Sequence, residues 1–213
     1  MTLTPFETGL YGHLTPFFTG HQFALLADKK QYRRPTNSGF QNVILSPAYY
    51  GDETLLDVNF GCRNEQIEQI AQQFLNNAYD FRPDANTIIT SIGKFQNRLY
   101  FRYKIHSEAE LADVCAQICA FFDGSGFAFL ENARSLSALD QLFNEHPDQP
   151  CPYVYNQTHR CYKGLIAARL NHNSNFDGLM ATYRHRLVRQ TQNPHEQRHF
   201  ERLITYLSHY SAN

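Results

Sequence analysis

The spacing of apolar residues in the stretch 41–75 changes once, in a single step at Arg63–Asn64. Before that step Leu56, Val58 and Phe60 alternate with polar neighbours, which is the pattern of a strand with one buried face. After it the apolar residues follow the helical period, on an amphipathic helix capped by Asn64. The predicted apolar stripe of this helix consists of Ile67, Ile70, Ala71, Phe74, Leu75 and Ala78. The central prediction is therefore a strand of a sheet followed directly by a helix that packs on that sheet.

Two hairpins are predicted in the first half of the chain. The first begins near Phe40 and turns at Tyr50-Gly51-Asp52, where glycine and aspartate favour a tight turn. The second consists of the segments 87–95 and 98–105, joined by a turn at Gln96-Asn97. The apolar positions that alternate along its second strand are Leu99, Phe101, Tyr103 and Ile105.

Helices are predicted before and after these hairpins. Thr4 and Glu7 have the spacing of a capping box, which predicts a helix over residues 5–18. Ser107 starts another helix, and we expect the segment Gly124–Gly126 to end it. Further helical patterns follow at 135–144, 158–171, 176–191 and 194–210.

These elements predict the α+β class. We expect an antiparallel sheet of four or five strands packed on helices, with a helical C-terminal half. The prolines at 147, 150 and 152 form a stiff connection and mark the best candidate boundary. The predicted organisation is an α+β domain over residues 1–150, followed by a helical extension over residues 151–213 that packs on the same domain.

Length and composition limit the class of protein further. A chain of 213 residues can bury a core without a metal or disulfides. The apolar runs are short and the N-terminus lacks a signal-peptide pattern, so we expect no membrane span and a cytoplasmic location. Five cysteines without a CxxC pair predict reduced thiols that fill core space. Nothing in the sequence indicates a cofactor.

The net charge of −1 conceals an uneven distribution of charge. Residues 1–157 carry 11 Lys and Arg against 17 Asp and Glu, whereas residues 158–213 carry 8 against 3. Attraction between the two parts of the chain, or solvated helix faces, would explain this split. The alternative is a basic surface for nucleic acid or an acidic protein, although the chain has no recognisable nucleic-acid module. The arginines that would form this surface are Arg184, Arg186, Arg189 and Arg198.

The segment His195–His199 spells H-E-x-x-H, the pattern in which two histidines bind zinc and a glutamate activates water. Several features oppose that chemistry here. Pro194 places His195 on the first helical turn, and Arg198 puts a positive charge between the two histidines. Glu196 has the spacing of a capping residue, and both histidines are expected to face water. A zinc-dependent hydrolase using His195, Glu196 and His199 therefore remains an alternative.

Tyrosines could line a binding groove, because a tyrosine combines an apolar body with a polar tip. Tyr49 and Tyr50 follow the first predicted strand, and Tyr153 and Tyr155 follow the prolines. The same residues could equally be partly buried members of sheet and loop.

A family resemblance covers about residues 5–120. It depends on the order of four elements: a helix, the segment KKQYRR, the segment GFQNVILSPAYYGDETLLDVNFGCR and a second helix. In this order the chain resembles a bacterial family of uncharacterised cytosolic α+β proteins that share a domain of unknown function. Gly61 and Arg63 match the Gly-x-Arg-like turn of that family. Some of its members lie near toxin loci, so the resemblance implies an immunity or binding role and no catalytic residues.

The sequence favours a soluble, non-catalytic interaction or ligand-binding protein, and the family resemblance implies an immunity-like role for it. The expected partner is a protein or a small molecule, with no membrane involved. The candidate contacts are Tyr49, Tyr50, Arg184, Arg186, Arg189 and Arg198. The zinc-dependent hydrolase and the nucleic-acid-associated protein remain the two alternatives.

Overall fold

The structure of the protein, a computed structural model, describes residues 3–98, 100–191 and 193–210. The strands found there are β1 (Ala24–Leu26), β2 (Gln31–Thr36), β3 (Gly39–Tyr50), β4 (Glu53–Asn64), β5 (Ile88–Ser91) and β6 (Tyr103–Ile105). The helices are α1 (Pro5–Gly20), α2 (Glu65–Phe74), α3 (Ile92–Phe95), α4 (Glu108–Phe121), α5 (Phe127–Asn132), α6 (Leu136–Asn144), α7 (Gln157–Leu170), α8 (Phe176–Gln190) and α9 (Pro194–His209). Short 3₁₀ turns at Ala27–Lys29 and Tyr79–Asp84 and a π-helical turn at Phe122–Gly126 complete the list.

The strands form one sheet in which β1 to β5 lie side by side in chain order and β6 pairs with β4. Antiparallel pairing places Tyr32 opposite Val43 and Leu56 opposite Tyr103. The predicted α+β class, with an antiparallel sheet and a helical C-terminal half, is confirmed. Within the described residues the sheet has six strands, one or two more than expected. The additional strand β1 has only three residues and is too short to show alternation.

The first hairpin is confirmed and the second is wrong. Strands β3 and β4 meet at Gly51, whose positive φ of 60° suits the predicted turn. In place of the second hairpin, β5 and β6 each pair with β4 along its other edge. The hydroxyl of Ser91 accepts a hydrogen bond from the Lys94 N–H at 3.1 Å and so starts helix α3 where a strand was predicted to continue. Leu99, part of the predicted alternation, lies outside the described residues.

The segment Gly124–Gly126 does not end the helix that Ser107 starts. The backbone instead continues through the π-helical turn Phe122–Gly126 into α5. A Cβ at Gly126 would lie 2.6 Å from the Phe122 ring, so this glycine is needed for close packing rather than as a cap. The stretch Glu108–Asn132 is long and apolar enough to cross a membrane by length and composition, with a mean hydropathy of 1.2. Several of its side chains, including Ile118 and Phe122, lie in the core described next.

The chain divides into two compact units. Unit 1 consists of Met1–Cys62 and Ile89–Glu131, and unit 2 consists of Arg63–Ile88 and Asn132–Asn213. Each unit is therefore built from two separate stretches of chain. The prediction of a domain over 1–150 with an extension over 151–213 stays a prediction.

Unit 1 combines strands and helices around an aromatic core. Helices α1 and α4 pack on each other, and the sheet contributes fully buried residues such as Val43 and Leu45. The Phe60 ring is in edge contact with other phenylalanine rings at centroid distances of 5.3 to 5.7 Å. These rings belong to Phe95, Phe121, Phe122 and Phe129. Phe60 thus lies at the centre of a cluster in which each ring contact adds to the burial of apolar area.

Unit 2 is a group of helices in which α7 is packed by α2, α6, α8 and α9. The side chains of α7 between Arg160 and Ala168 are all buried, as expected for a central helix. Arg160 closes the C-terminal end of α6, because its guanidinium donates to the carbonyls of Phe143 and His146 at 3.1 and 2.9 Å. Helix α2 begins as predicted, with the Asn64 side chain accepting from the Ile67 N–H at 3.1 Å. Its predicted stripe is buried except for Ala78, which is exposed.

The central position of Phe60 can be tested by unfolding. We expect Phe60→Ala to lower the free energy of unfolding by about 3–5 kcal/mol, because it leaves a cavity among four rings. Urea denaturation followed by circular dichroism measures this change. The control is Phe81→Ala at a 64% exposed phenylalanine, which should change stability by less than about 0.5 kcal/mol. A loss below about 1 kcal/mol for Phe60→Ala would contradict the packing described.

Candidate functional site

A cleft of about 420 Å³ lies in unit 2 at the ends of three helices, and we call it the α2/α7/α9 cleft. Its volume falls within the range of small-molecule sites, about 300–1,000 Å³. The C-terminal end of α2, the first turns of α7 and the start of α9 form its walls. The lining residues are Phe74, Leu75, Asn76, Thr158, His159, Tyr162, Asn193, His195, Glu196 and His199.

Asparagine caps position the first turns of α7 and α9. The Asn156 side-chain oxygen accepts from the N–H groups of Thr158 and His159 at 2.9 and 3.1 Å. The Asn193 side-chain oxygen accepts from the His195 N–H at 2.9 Å. Because the caps use these three N–H groups, the helix starts do not offer them to a ligand as anion-binding donors.

The Glu196 side chain is not the capping residue that the sequence predicts. The N–H of Asn193, which a capping box would direct to Glu196, instead donates to the Thr191 hydroxyl at 3.1 Å. Among the described residues the Glu196 carboxylate has no hydrogen bond or ion pair. Only its backbone carbonyl is engaged, accepting from the buried Tyr162 hydroxyl at 2.7 Å. The carboxylate is therefore left available to the cleft.

The two histidines of H-E-x-x-H have different environments. His195 is exposed, as expected, and its ring nitrogen Nδ1 lies 2.9 Å from the Arg198 guanidinium. His199 is half-buried rather than facing water, and its Nδ1 lies 3.0 Å from the Phe74 carbonyl oxygen. A carbonyl only accepts, so Nδ1 of His199 carries the hydrogen, and Nε2 is an acceptor when the ring is neutral.

His159 supplies a third imidazole ring to the cleft, and no feature of the sequence links it to His195 or His199. Burial lowers the pKa of His159, and the positive charge of Lys163 lowers it further. The carboxylates of Glu68 and Glu196 act in the opposite direction with smaller effect. His159 is therefore neutral near pH 7 and can both donate and accept a hydrogen bond.

A buried ion pair lies on the same helices that form the cleft walls. The Lys163 ammonium of α7 lies 2.8 Å from the Glu68 carboxylate of α2, and the two side chains are 6% and 0% exposed. Lys163 also donates to the Asn86 carbonyl at 2.5 Å. Glu68 accepts from the hydroxyl of Thr87 at 2.9 Å and from the amide of Gln72 at 2.8 Å. Each charge thus has several partners, which a buried ion pair requires.

The predicted arginine surface is only partly present. Arg184 is paired with the Glu201 carboxylate at 2.6 and 2.9 Å, and Arg186 donates to the Pro147 carbonyl at 2.9 Å. Arg189 and Arg198 are exposed, and Arg198 lies beside His195. Arg184, Arg186 and Arg198 are thus engaged in different local contacts, and Arg198 lies next to the cleft lining.

The predicted tyrosine contacts lie in unit 1. Tyr49 and Tyr50 are 49% and 57% exposed at the end of β3. The Tyr49 hydroxyl lies 3.1 Å from the Thr4 hydroxyl, and its ring is in edge contact with Phe6 at 5.9 Å. These contacts tie the start of α1 to β3, and neither tyrosine lines the cleft of unit 2.

The zinc alternative requires at least three protein ligands around one ion. Across residues 3–98, 100–191 and 193–210, no group of three or more His, Cys, Asp or Glu side chains is arranged to hold a metal ion.

Burial raises the pKa of Cys115 to about 12 and that of Cys161 to about 11, so both thiols stay protonated and unreactive at neutral pH.

Comparisons with known proteins add nothing to these residues. No protein-family model, curated protein or solved structure matches the chain with significance.

The buried pair generates a prediction about stability. Lys163→Met should lower the free energy of unfolding of unit 2 by about 3–5 kcal/mol, because it leaves the Glu68 charge buried and uncompensated. The double variant Lys163→Met/Glu68→Gln should recover most of this loss, since it removes both charges and keeps an acceptor for Thr87. Urea unfolding of both variants provides the measurement. A double variant as unstable as the single one would show that the charge of Glu68 is not the cause.

The lowered pKa of His159 predicts a dependence of stability on pH. In the unfolded chain the His159 ring takes up a proton near its ordinary pKa of 6.5. In the folded protein the same ring takes it up only at lower pH. Stability should therefore fall as the pH drops from 6.5 towards the folded pKa. His159→Gln should flatten this part of the profile, measured as the urea midpoint at pH values from about 7 to 5. Parallel pH profiles of the wild type and His159→Gln would contradict this prediction. The control is His185→Gln, at an exposed histidine, which should leave the profile unchanged.

Proposed function

We propose that the protein is a non-catalytic binding protein that holds a small molecule in the α2/α7/α9 cleft. The observation that supports this proposal is the lining of the cleft. It combines apolar surface from Phe74 and Leu75 with hydrogen-bonding groups from His159, Glu196 and His199. A few polar groups on an apolar wall, in a volume of about 420 Å³, are typical of a site that orients one small ligand.

A binding role accounts for the lining better than hydrolysis does. Among the described residues the lining contains neither a cysteine nor a serine, and its hydroxyl groups are those of Thr158 and of Tyr162, which donates to the Glu196 carbonyl. The histidines of H-E-x-x-H are engaged differently, one with the Arg198 guanidinium and one with the Phe74 carbonyl. Zinc coordination through His195 and His199 would require His195 to leave this guanidinium and Nε2 of both rings to meet at one ion.

A nucleic-acid role has less support from the same residues. Binding to phosphates depends on several unpaired cations along one surface. Arg184 and Arg186 are already engaged with Glu201 and the Pro147 carbonyl. The immunity-like role and the protein partner that the family resemblance implies remain predictions, to which the cleft adds no support.

Blocking the cleft tests the proposal. Asn76 is exposed at its rim, so Asn76→Trp should fill the opening without disturbing the core. We expect ligand-observed NMR with a library of small fragments to give binders of the wild-type protein that Asn76→Trp no longer binds. The matched control, Ala181→Trp, adds the same ring at an exposed position of α8 and should bind the same fragments. Identical fragment binding by both variants would refute a site in this cleft.

A further inference from the structure

Two of the hydrogen-bonding groups left unused in the α2/α7/α9 cleft are acceptors. The Glu196 carboxylate has no partner among the described residues, and an ionised carboxylate only accepts. In the neutral His199 ring Nε2 is an acceptor as well, because Nδ1 donates to the Phe74 carbonyl. A carboxylate and an acceptor nitrogen match a ligand that brings N–H donors.

The backbone N–H groups at the helix starts and the two cations nearest the cleft already have partners. The N–H groups of Thr158, His159 and His195 are used by the asparagine caps. The Arg198 guanidinium is held at His195 and is not part of the cleft lining. The Lys163 ammonium is buried against Glu68 and the Asn86 carbonyl. Among the described residues that line the cleft there is no lysine or arginine, so a carboxylate or phosphate would meet the charge of Glu196 without a cation there to offset it.

The apolar part of the lining indicates what the donor group is attached to. The side chains of Phe74 and Leu75 are only 8% and 6% exposed and form one wall of the cleft, beside the Tyr162 ring. Aromatic and aliphatic walls favour an apolar body, and aromatic faces also attract cations. The lining thus pairs an apolar surface with a negative charge that has no partner among the described residues.

We propose that the cleft binds a small organic cation, an ammonium group on a short aromatic or alkyl body, with the Glu196 carboxylate as its charged partner. Nε2 of His199 accepts a second N–H of the ammonium, and Phe74 and Leu75 pack against the body. This inference rests on the proposed function, since it specifies the ligand of the same cleft.

Three probes of nearly equal shape and different charge test the proposal. They are 2-phenylethylamine, 2-phenylethanol and 3-phenylpropionate, which are cationic, neutral and anionic at pH 7.5. In isothermal titration calorimetry we expect the amine to bind tightest. Glu196→Gln should weaken amine binding by about tenfold or more, because it removes a charge-assisted hydrogen bond and keeps the shape.

Two variants serve as controls for the titration. Glu145→Gln removes an exposed carboxylate of unit 2 outside the cleft and should leave amine affinity unchanged. His199→Phe keeps a ring without the acceptor and should weaken the amine more than the alcohol. Circular dichroism spectra that match the wild type show that each variant is folded.

The outcomes separate the two proposals. Equal or tighter binding of the alcohol or the carboxylate, lost in Asn76→Trp, would overturn the cation and leave the cleft as a binding site. An amine affinity that Glu196→Gln does not change would likewise overturn the assignment of the charged partner. Failure of all three probes to bind, or binding that Asn76→Trp does not affect, would overturn both proposals.

Discussion

The buried ion pair between Glu68 and Lys163 is the interaction on which the arrangement of unit 2 depends. It joins α2 to α7, two of the helices that line the cleft. A buried charge is tolerated only when its partner stays within hydrogen-bond distance, so the pair fixes the relative position of these helices more strictly than apolar packing does. The end of α2 at Phe74 and the start of α7 at His159 are held apart at a set distance. The cleft is the space that this distance leaves open.

The sequence predicts the elements that local physics determines. The capping residues Thr4, Asn64 and Ser107 accept the hydrogen bonds expected of them, because a cap depends on residues three positions away. The turn at Gly51 and the helices α6 to α9 follow from equally local patterns. The second hairpin was wrong for the opposite reason, since the choice of β4 as the partner of both β5 and β6 is made by distant residues.

The candidate site was predictable only in part. The H-E-x-x-H pattern drew attention to His195, Glu196 and His199, and all three line the cleft. The sequence could not show that His159 and Phe74 join them, because these residues come from other helices and share no spacing with α9. The assignment of Glu196 to a capping box also failed, because the Thr191 hydroxyl competes for the same N–H. Side-chain competition of this kind is invisible to spacing rules.

The division of each unit into two stretches has a consequence for the order in which the chain is made. Residues 63–88 of unit 2 leave the ribosome before unit 1 is complete, and long before α7 and α9 are synthesised. Until then the apolar stripe of α2 has no partner helix, and the Glu68 carboxylate remains in water. The nascent helix is thus exposed during much of synthesis, the period in which uncovered apolar surface attracts chaperones or other chains. Unit 1 needs only residues up to 131 and can fold first, while the α2 segment is joined to it through the chain at both ends.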